Sequence, residues 1–262
     1  IRKINFLFNI LVIIYYYSGF PFYLWSRLVS KPYIGSYLFS NQEAGRNRQA
    51  IIKNILKKIK KNKIEVLEIG VFCGQTTVSL ISKLKILKIK FKITCVDIWN
   101  TFDMPDGNFH HFKMSKDLKN RRIFNLFKHN MQSLGVKKHI YIKKMNSKKF
   151  FKKNKKKFDL IIVDGSHALD IVNEDLKNAK KYLSPNGFIV GDDYELSASK
   201  LNIVELKKMA KEEKDRVFFK RLKKDFHPGV TLAVKNNLGN LVSQNGLFCV
   251  QKKGVRFLDI FA

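Results

Sequence analysis

Two runs of this 262-residue chain carry acids at the ends of strand-like apolar stretches: Phe158-Asp-Leu-Ile-Ile-Val-Asp164-Gly-Ser-His167 and Gly187-Phe-Ile-Val-Gly-Asp192-Asp193-Tyr194. If the two stretches are neighbours in one sheet, Asp164, Asp192 and Asp193 converge at its carboxyl edge. Three carboxylates held together repel one another and raise each other's pKa unless a cation neutralises them. An all-oxygen set of this kind suits Mg²⁺ or a similar hard divalent cation. His167 follows a small-residue turn and can face the same edge. An imidazole with an ordinary pKa near ~6.5 can take a proton from a hydroxyl that a metal has acidified. The competing reading of His167 is structural, as an N-cap of the next helix or a partner of Asp164.

A second constellation is Val66-Leu-Glu-Ile-Gly-Val-Phe-Cys-Gly-Gln-Thr-Thr77, where an apolar strand runs through Glu68 and Gly70 into Gly74 and a helix start. In α/β folds such a turn opens a nucleotide-sized pocket. Phe72 stands where a dinucleotide fingerprint needs its second glycine, so a pyrophosphate could not approach the backbone. Glu68 would repel phosphate yet suits the ammonium or hydroxyl groups of a cofactor such as S-adenosylmethionine, with Gly70, Phe72, Gly74 and Thr76 lining the pocket. Asp97, ending Cys95-Val-Asp-Ile-Trp99, is placed to accept hydrogen bonds from ribose hydroxyls, or else caps its own loop. Trp99 either covers the adenine or packs on the sheet edge. Ser147, in Met145-Asn-Ser147, is an adenine candidate or an N-cap of the lysine-rich helix after it.

Positioning these residues requires alternating strands and helices. Strands are expected at 65–70, 91–97, 140–143, 158–164 and 187–192, and helices at 47–60, 75–85, 115–133 and 168–183. The last is the clearest, with Leu169, Val172, Leu176, Ala179 and Leu183 on one face. Residues 195–226 read as polar, basic and helical in part, 229–240 as a helix, and 247–252 as a final strand, with Asn245-Gly246 as a hairpin signal before it. The alternation implies an α/β fold: a Rossmann-like, doubly wound, seven-stranded, mainly parallel sheet with a terminal antiparallel hairpin. Residues 46–262 would form that domain and residues 1–45 an apolar extension.

The extension has no charged residue between Lys3 and Arg27. Asn5, Asn9, Gly19 and Pro21 interrupt it, which favours an interfacial or core-packed helix over the roughly 20 residues of a span. Residues 1–31 are therefore read either as touching an anionic membrane surface or as packing on the domain or on a second subunit of a homo-oligomer. A formal charge of +30, from 51 Lys+Arg against 21 Asp+Glu, would draw nucleic acid or anionic lipid. The richness in Lys, Ile, Asn, Phe and Tyr together points instead to compositional bias. The Lys143–Lys157 block, with Phe150 and Phe151 inside it, fits a solvated helix face. Cys73, Cys95 and Cys249 have no metal-type spacing and read as buried thiols in a reducing, cytoplasmic compartment. His110 and His111 could line an acceptor site from the loop after Asp97, which with residues 195–226 would shape that pocket. His227 could approach the acidic rim.

The Val66–Val78 segment with Asp164, Asp192 and Asp193 resembles the metal-dependent class I O-methyltransferases, both the catechol branch and the bacterial branch that modifies sugars of macrolide and aminocoumarin products. Val163-Asp-Gly-Ser-His167, Gly191-Asp-Asp-Tyr194 and His227-Pro-Gly-Val230 look closest to the bacterial group, over about residues 64–252. The resemblance implies metal ligation by Asp164, Asp192 and Asp193, with Asp193 in place of the catechol branch's asparagine. It implies S-adenosylmethionine held by Glu68, Gly70, Gly74, Asp97 and Ser147. His167 stands where the catechol branch has its lysine base, and Ser166 where the sugar branch has an aspartate. The expected activity is methyl transfer to a small-molecule or sugar hydroxyl. The alternatives are a basic RNA-directed methyltransferase, and a non-catalytic membrane-peripheral or RNA-binding module on the same fold.

Overall fold

The computed structural model describes residues 2–40, 45–101, 109–212 and 215–262, with side chains omitted at 2–5 and 45–48. Chain order begins with α1 (Arg2–Ser18), α2 (Phe20–Leu28) and α3 (Gly45–Lys58), then β1 (Lys63–Ile69), α4 (Gln75–Ile86) and β2 (Lys90–Asp97). It continues through α5 (Phe109–Lys119), α6 (Arg122–Ser133), β3 (Ile140–Lys144), α7 (Ser147–Lys153), β4 (Phe158–Val163), α8 (Leu169–Tyr182) and β5 (Leu183–Gly191). The chain closes with α9 (Ile203–Lys211), β6 (Val217–Phe219), β7 (Lys224–Phe226), α10 (Pro228–Leu238), β8 (Phe248–Lys253) and β9 (Arg256–Asp259).

The main sheet has the order β3-β2-β1-β4-β5-β8-β9, parallel through β5 and antiparallel beyond it. This is the expected seven-stranded doubly wound sheet with a terminal hairpin. Strand order reverses between β1 and β4, which opens a crevice at their carboxyl ends. Because both faces are covered, β4 is buried along its whole length. Its side chains alternate between two cores: Leu160 and Ile162 pack with α3, α4 and α6, and Ile161 and Val163 with α7, α8 and α10.

Several elements differ from expectation for local reasons. The helix expected over 115–133 is two helices, broken where Arg121 turns left-handed at φ 58° so that Leu118 and the Ile123, Leu126, Phe127 face can both reach the core. His110 and His111 lie in the first turn of α5 rather than in a loop. The 195–226 region contains α9 and also the small antiparallel pair β6 and β7, around a third core of Leu206, Phe219, Phe226 and Leu232. Asn245-Gly246 turns the chain between Gln244 and Leu247, whereas the hairpin of the main sheet turns at Gly254. α7 is solvated on its lysines but buries Phe150 and Phe151, the latter stacked on Tyr182 at 5.5 Å. The three cysteines are buried and unpaired, and burial pushes the Cys249 thiol up to about 12.

Gly19 separates α1 from α2 as expected, whereas Asn9 lies inside α1 and Pro21 does not break α2. Pro21 falls in the first turn of α2, where its missing N–H costs nothing, so residues Phe6–Leu28 are long and apolar enough to cross a membrane by length and composition. The same segment packs on the domain through a few polar contacts. Tyr16 Oη donates to Asp117 Oδ2 at 2.6 Å, and Asp117 is also held by Lys113 and Arg122. Asn130 accepts from the Tyr33 amide at 2.8 Å and donates to the carbonyls of Tyr33 and Cys73, which fastens the N-terminal segment to the turn after β1.

Candidate active site

The turn after β1 is built on left-handed backbone at Gly70 (φ 79°), Phe72 (φ 50°) and Gly74 (φ 79°). Gly70 is required twice over, because a Cβ there would lie 1.9 Å from the Asp164 carbonyl oxygen. The turn therefore seats the end of β1 directly against the end of β4. Asp97 organises it: the amides of Val71 and Phe72 donate to its Oδ2 at 2.8 and 2.9 Å, and the Trp99 amide donates to Oδ1 at 2.6 Å. The N–H groups that a dinucleotide site would turn toward pyrophosphate are thus spent on the chain's own carboxylate. Glu68 is buried and accepts from Thr77 Oγ1 at 2.6 Å, which fixes a carboxylate between β1 and the first turn of α4, beside buried Thr76.

Trp99 is 2% exposed: its ring stacks on Phe127 at 5.1 Å and its indole N–H donates to the Phe72 carbonyl. It braces the turn from the α6 side. The N-cap of α7 is Asn146, whose side chain accepts from the Lys149 amide, and Ser147 is the first helical residue. The Ser147 hydroxyl donates to Asp175 on α8. Of the acceptor loop expected over 100–114, residues 102–108 lie outside the described residues. His110 packs on Phe39 at 4.3 Å, and its burial lowers its pKa.

Parallel pairing of Val163 with Gly191 brings the ends of β4 and β5 level, so the next residues, Asp164 and Asp192, leave the sheet together. Asp193 follows in a left-handed conformation at φ 59°, which turns its side chain back to the same rim. Ligand atoms of Asp164, Asp192 and Asp193 all lie within 4.8 Å of one another. Three carboxylates that close could hold a divalent cation in part, with water or substrate completing the shell. The donor set fits the cation that the residue types imply.

Beside the acids sit His167 and His227, both at the rim where the sequence placed them. His167 Nε2 is 2.9 Å from Asp193 Oδ2, and Nδ1 is 2.5 Å from Asp215 Oδ1. Burial works to discharge the ring, but the hydrogen bonds to Asp193 and Asp215 prevail and push its pKa up to about 10. His167 is not the N-cap of α8, a place taken by Ala168. Asp215, held below its usual range by His167, comes from a distant polar stretch with no sequence signal. His227 is the N-cap residue of α10 and stacks near His167 at 4.2 Å. Glu195 grips it twice, accepting from its amide at 3.3 Å and lying 2.9 Å from its Nδ1. Glu195 and Asn130 are the other residues the sequence gave no reason to single out.

Residues 67–194 match a protein family described as a methyltransferase domain, a segment running from β1 to just past the paired aspartates. The match covers just under half of the chain, on a Rossmann-like sheet with a terminal antiparallel hairpin. Among solved structures, an O-methyltransferase family protein from Burkholderia thailandensis aligns at 8% identity and TM-score 0.49, over 81% of this chain and 57% of that one. A SAM-dependent methyltransferase from Agrobacterium tumefaciens aligns at 13% identity and TM-score 0.44, over 66% and 50%. An O-methyltransferase from Bacillus cereus in complex with SAH aligns at 12% identity and TM-score 0.39, over 75% and 67%. The aligned regions thus span about half to two thirds of these relatives' length. No curated protein matches the chain.

Proposed function

We propose that this chain is an S-adenosylmethionine-dependent methyltransferase that methylates a hydroxyl oxygen of a small molecule or sugar with the help of a divalent cation. The observation that carries the reading is the meeting of Asp164, Asp192 and Asp193 at the carboxyl edge of β4 and β5, one strand from the Gly70–Gly74 turn. When bound, the cation supplies positive charge that acidifies a nearby hydroxyl, and S-adenosylmethionine supplies the methyl group.

The chain's own residues would divide the remaining work. Glu68 would face the cationic methionine end. Asp97 has unused lone pairs for ribose hydroxyls beyond the three amides it accepts. Gly70, Phe72, Gly74 and Thr76 would shape the wall, and Ser147 and Trp99 would bound the adenine side from behind the rim. Asp164, Asp192 and Asp193 would hold the cation and thereby fix the acceptor in line with the methyl group, an alignment that lowers the barrier by removing rotational and translational freedom. His167, with Nε2 2.9 Å from Asp193 Oδ2, would act as the base in its neutral form. Asp215 orients the ring through Nδ1 throughout.

The test pairs calorimetric binding of S-adenosylhomocysteine with a thermal-shift titration of Mg²⁺ or Mn²⁺, on wild type and Asp192→Asn. The expected result is cofactor-product binding by both proteins and cation stabilisation of wild type alone. Absence of S-adenosylhomocysteine binding to wild type would refute the methyltransferase reading. An equal cation shift in the variant would refute the metal assignment.

A further inference from the structure

The N-terminal helices carry an apolar face that the domain leaves uncovered. Phe6, Leu11, Ile14, Phe22, Trp25 and Leu28 are each more than half exposed, and 11% of the most apolar window of Phe6–Leu28 is buried. A contiguous face of this size in water marks an interaction surface. We propose that α1 and α2 form a monotopic anchor that lies flat in the interface of an anionic lipid bilayer. This inference is independent of the methyltransferase reading.

Two observations select that occupant and orientation. The first is charge: residues 1–42 contain no Asp or Glu, while Arg2 and Lys3 open the segment, Arg27 and Lys31 close it, and the whole chain carries +30. Basic flanks around aromatic and aliphatic residues suit the boundary between acyl chains and negative headgroups. A second copy of the chain would meet the same positive flanks with its own.

The second observation is how the inner face is held. Asn9 Oδ1 accepts from the Phe109 amide at 3.3 Å, Tyr16 donates to Asp117, the Gly19 carbonyl accepts from Tyr33 Oη, and Tyr33 is bonded to Asn130. These contacts run along most of the helical segment, so the wall formed by α5 and α6 lies beside it rather than at one end. Crossing the bilayer would draw Lys113, Asp117 and Arg122 into hydrocarbon, which is costly for charged groups. Lying flat keeps the polar wall in water and sinks only the outer face. Because Asn130 also bonds the Cys73 carbonyl, the anchor is fastened to the same turn that walls the candidate cofactor pocket.

The two tryptophans make the test direct, since Trp99 is buried and Trp25 is 63% exposed, so a change in emission reports Trp25. The full chain is mixed with phosphatidylcholine vesicles with or without phosphatidylglycerol, and followed by flotation and by Trp emission with shallow and deep brominated lipids as quenchers. The expected result is flotation and a blue shift with the mixed vesicles, at least ~10-fold weaker binding to phosphatidylcholine alone or in high salt, and quenching by the shallow bromines. Leu11→Glu with Trp25→Glu, both at largely exposed positions, should abolish flotation while leaving the melting temperature of the domain unchanged. Flotation that ignores both lipid charge and these substitutions would overturn the proposal. So would a sedimenting dimer that stays in solution with the mixed vesicles. Dominant quenching by the deep bromines would overturn the flat orientation.

Discussion

Asp175 on α8 is 2% exposed, its carboxyl accepts from the Ser147 hydroxyl, and its Oδ1 has no hydrogen-bond partner. Burial raises its pKa from 3.8 to about 6, partly offset by Ser147 and reinforced by Glu174. The folded state therefore binds this proton more tightly than the unfolded chain does. The resulting stabilisation is fully present below the unfolded value of 3.8 and is lost as pH rises through about 6. A shift of about 2 units is worth roughly 3 kcal/mol, so at neutral pH the ionised group burdens the fold by that order. Asp175→Asn keeps an oxygen for Ser147 and cannot ionise. Subtracting the variant's stability from wild type's cancels every other titrating group, which both proteins share. The difference should drift by roughly 3 kcal/mol against wild type between about pH 4 and pH 7, or about 6 °C in Tm for a chain of this size. Urea unfolding at a series of pH values measures it. Parallel curves for the two proteins would show that Asp175 is solvated or paired, and the argument from burial would be wrong.

Gly70→Ala should destabilise by ~3 kcal/mol or more, since its Cβ would overlap the Asp164 carbonyl, whereas Gly135→Ala, equally left-handed with nothing within 4 Å, should cost about 1 kcal/mol; denaturant midpoints of the pair separate clash from backbone strain. Asp215→Ala should bring the His167 pKa down from about 10 toward its ordinary value, read by NMR titration of the ring. By the sign of that shift, the stability from the His167 contacts is complete below about pH 6.5 and lost as pH climbs through about 10, and the variant should lose part of that high-pH slope. Asn130→Ala removes three buried hydrogen bonds and should cost about 2–4 kcal/mol, with faster tryptic cleavage after Arg27 as the N-terminal segment loosens.

The local sequence determined the secondary structure of the core, because a strand buried on both faces must be apolar throughout and a helix covering it must repeat its apolar residues every three or four positions. The inner strands β1, β2, β4 and β5 and the helix over Leu169–Tyr182 were legible for that reason, and so was the turn whose Gly70, Phe72 and Gly74 spacing excludes pyrophosphate. The grouping of Asp164 with Asp192 and Asp193 could be inferred from topology alone, since adjacent parallel strands in register must end at one level. Tertiary structure alone decided what lies between elements that share no local pattern. Asp215 and Glu195 reach the histidines because β6, β7 and α10 fold back over the rim. Trp99 and Ser147 face inward, where indole N–H and hydroxyl meet partners on distant segments, and no spacing in the chain encodes such long-range pairing. The N-terminal segment shows the same division: its apolarity is written in the residues, but that it lies along α5 and α6 rather than projecting away follows from Tyr16 and Tyr33 finding Asp117 and Asn130, each about a hundred positions later in the chain.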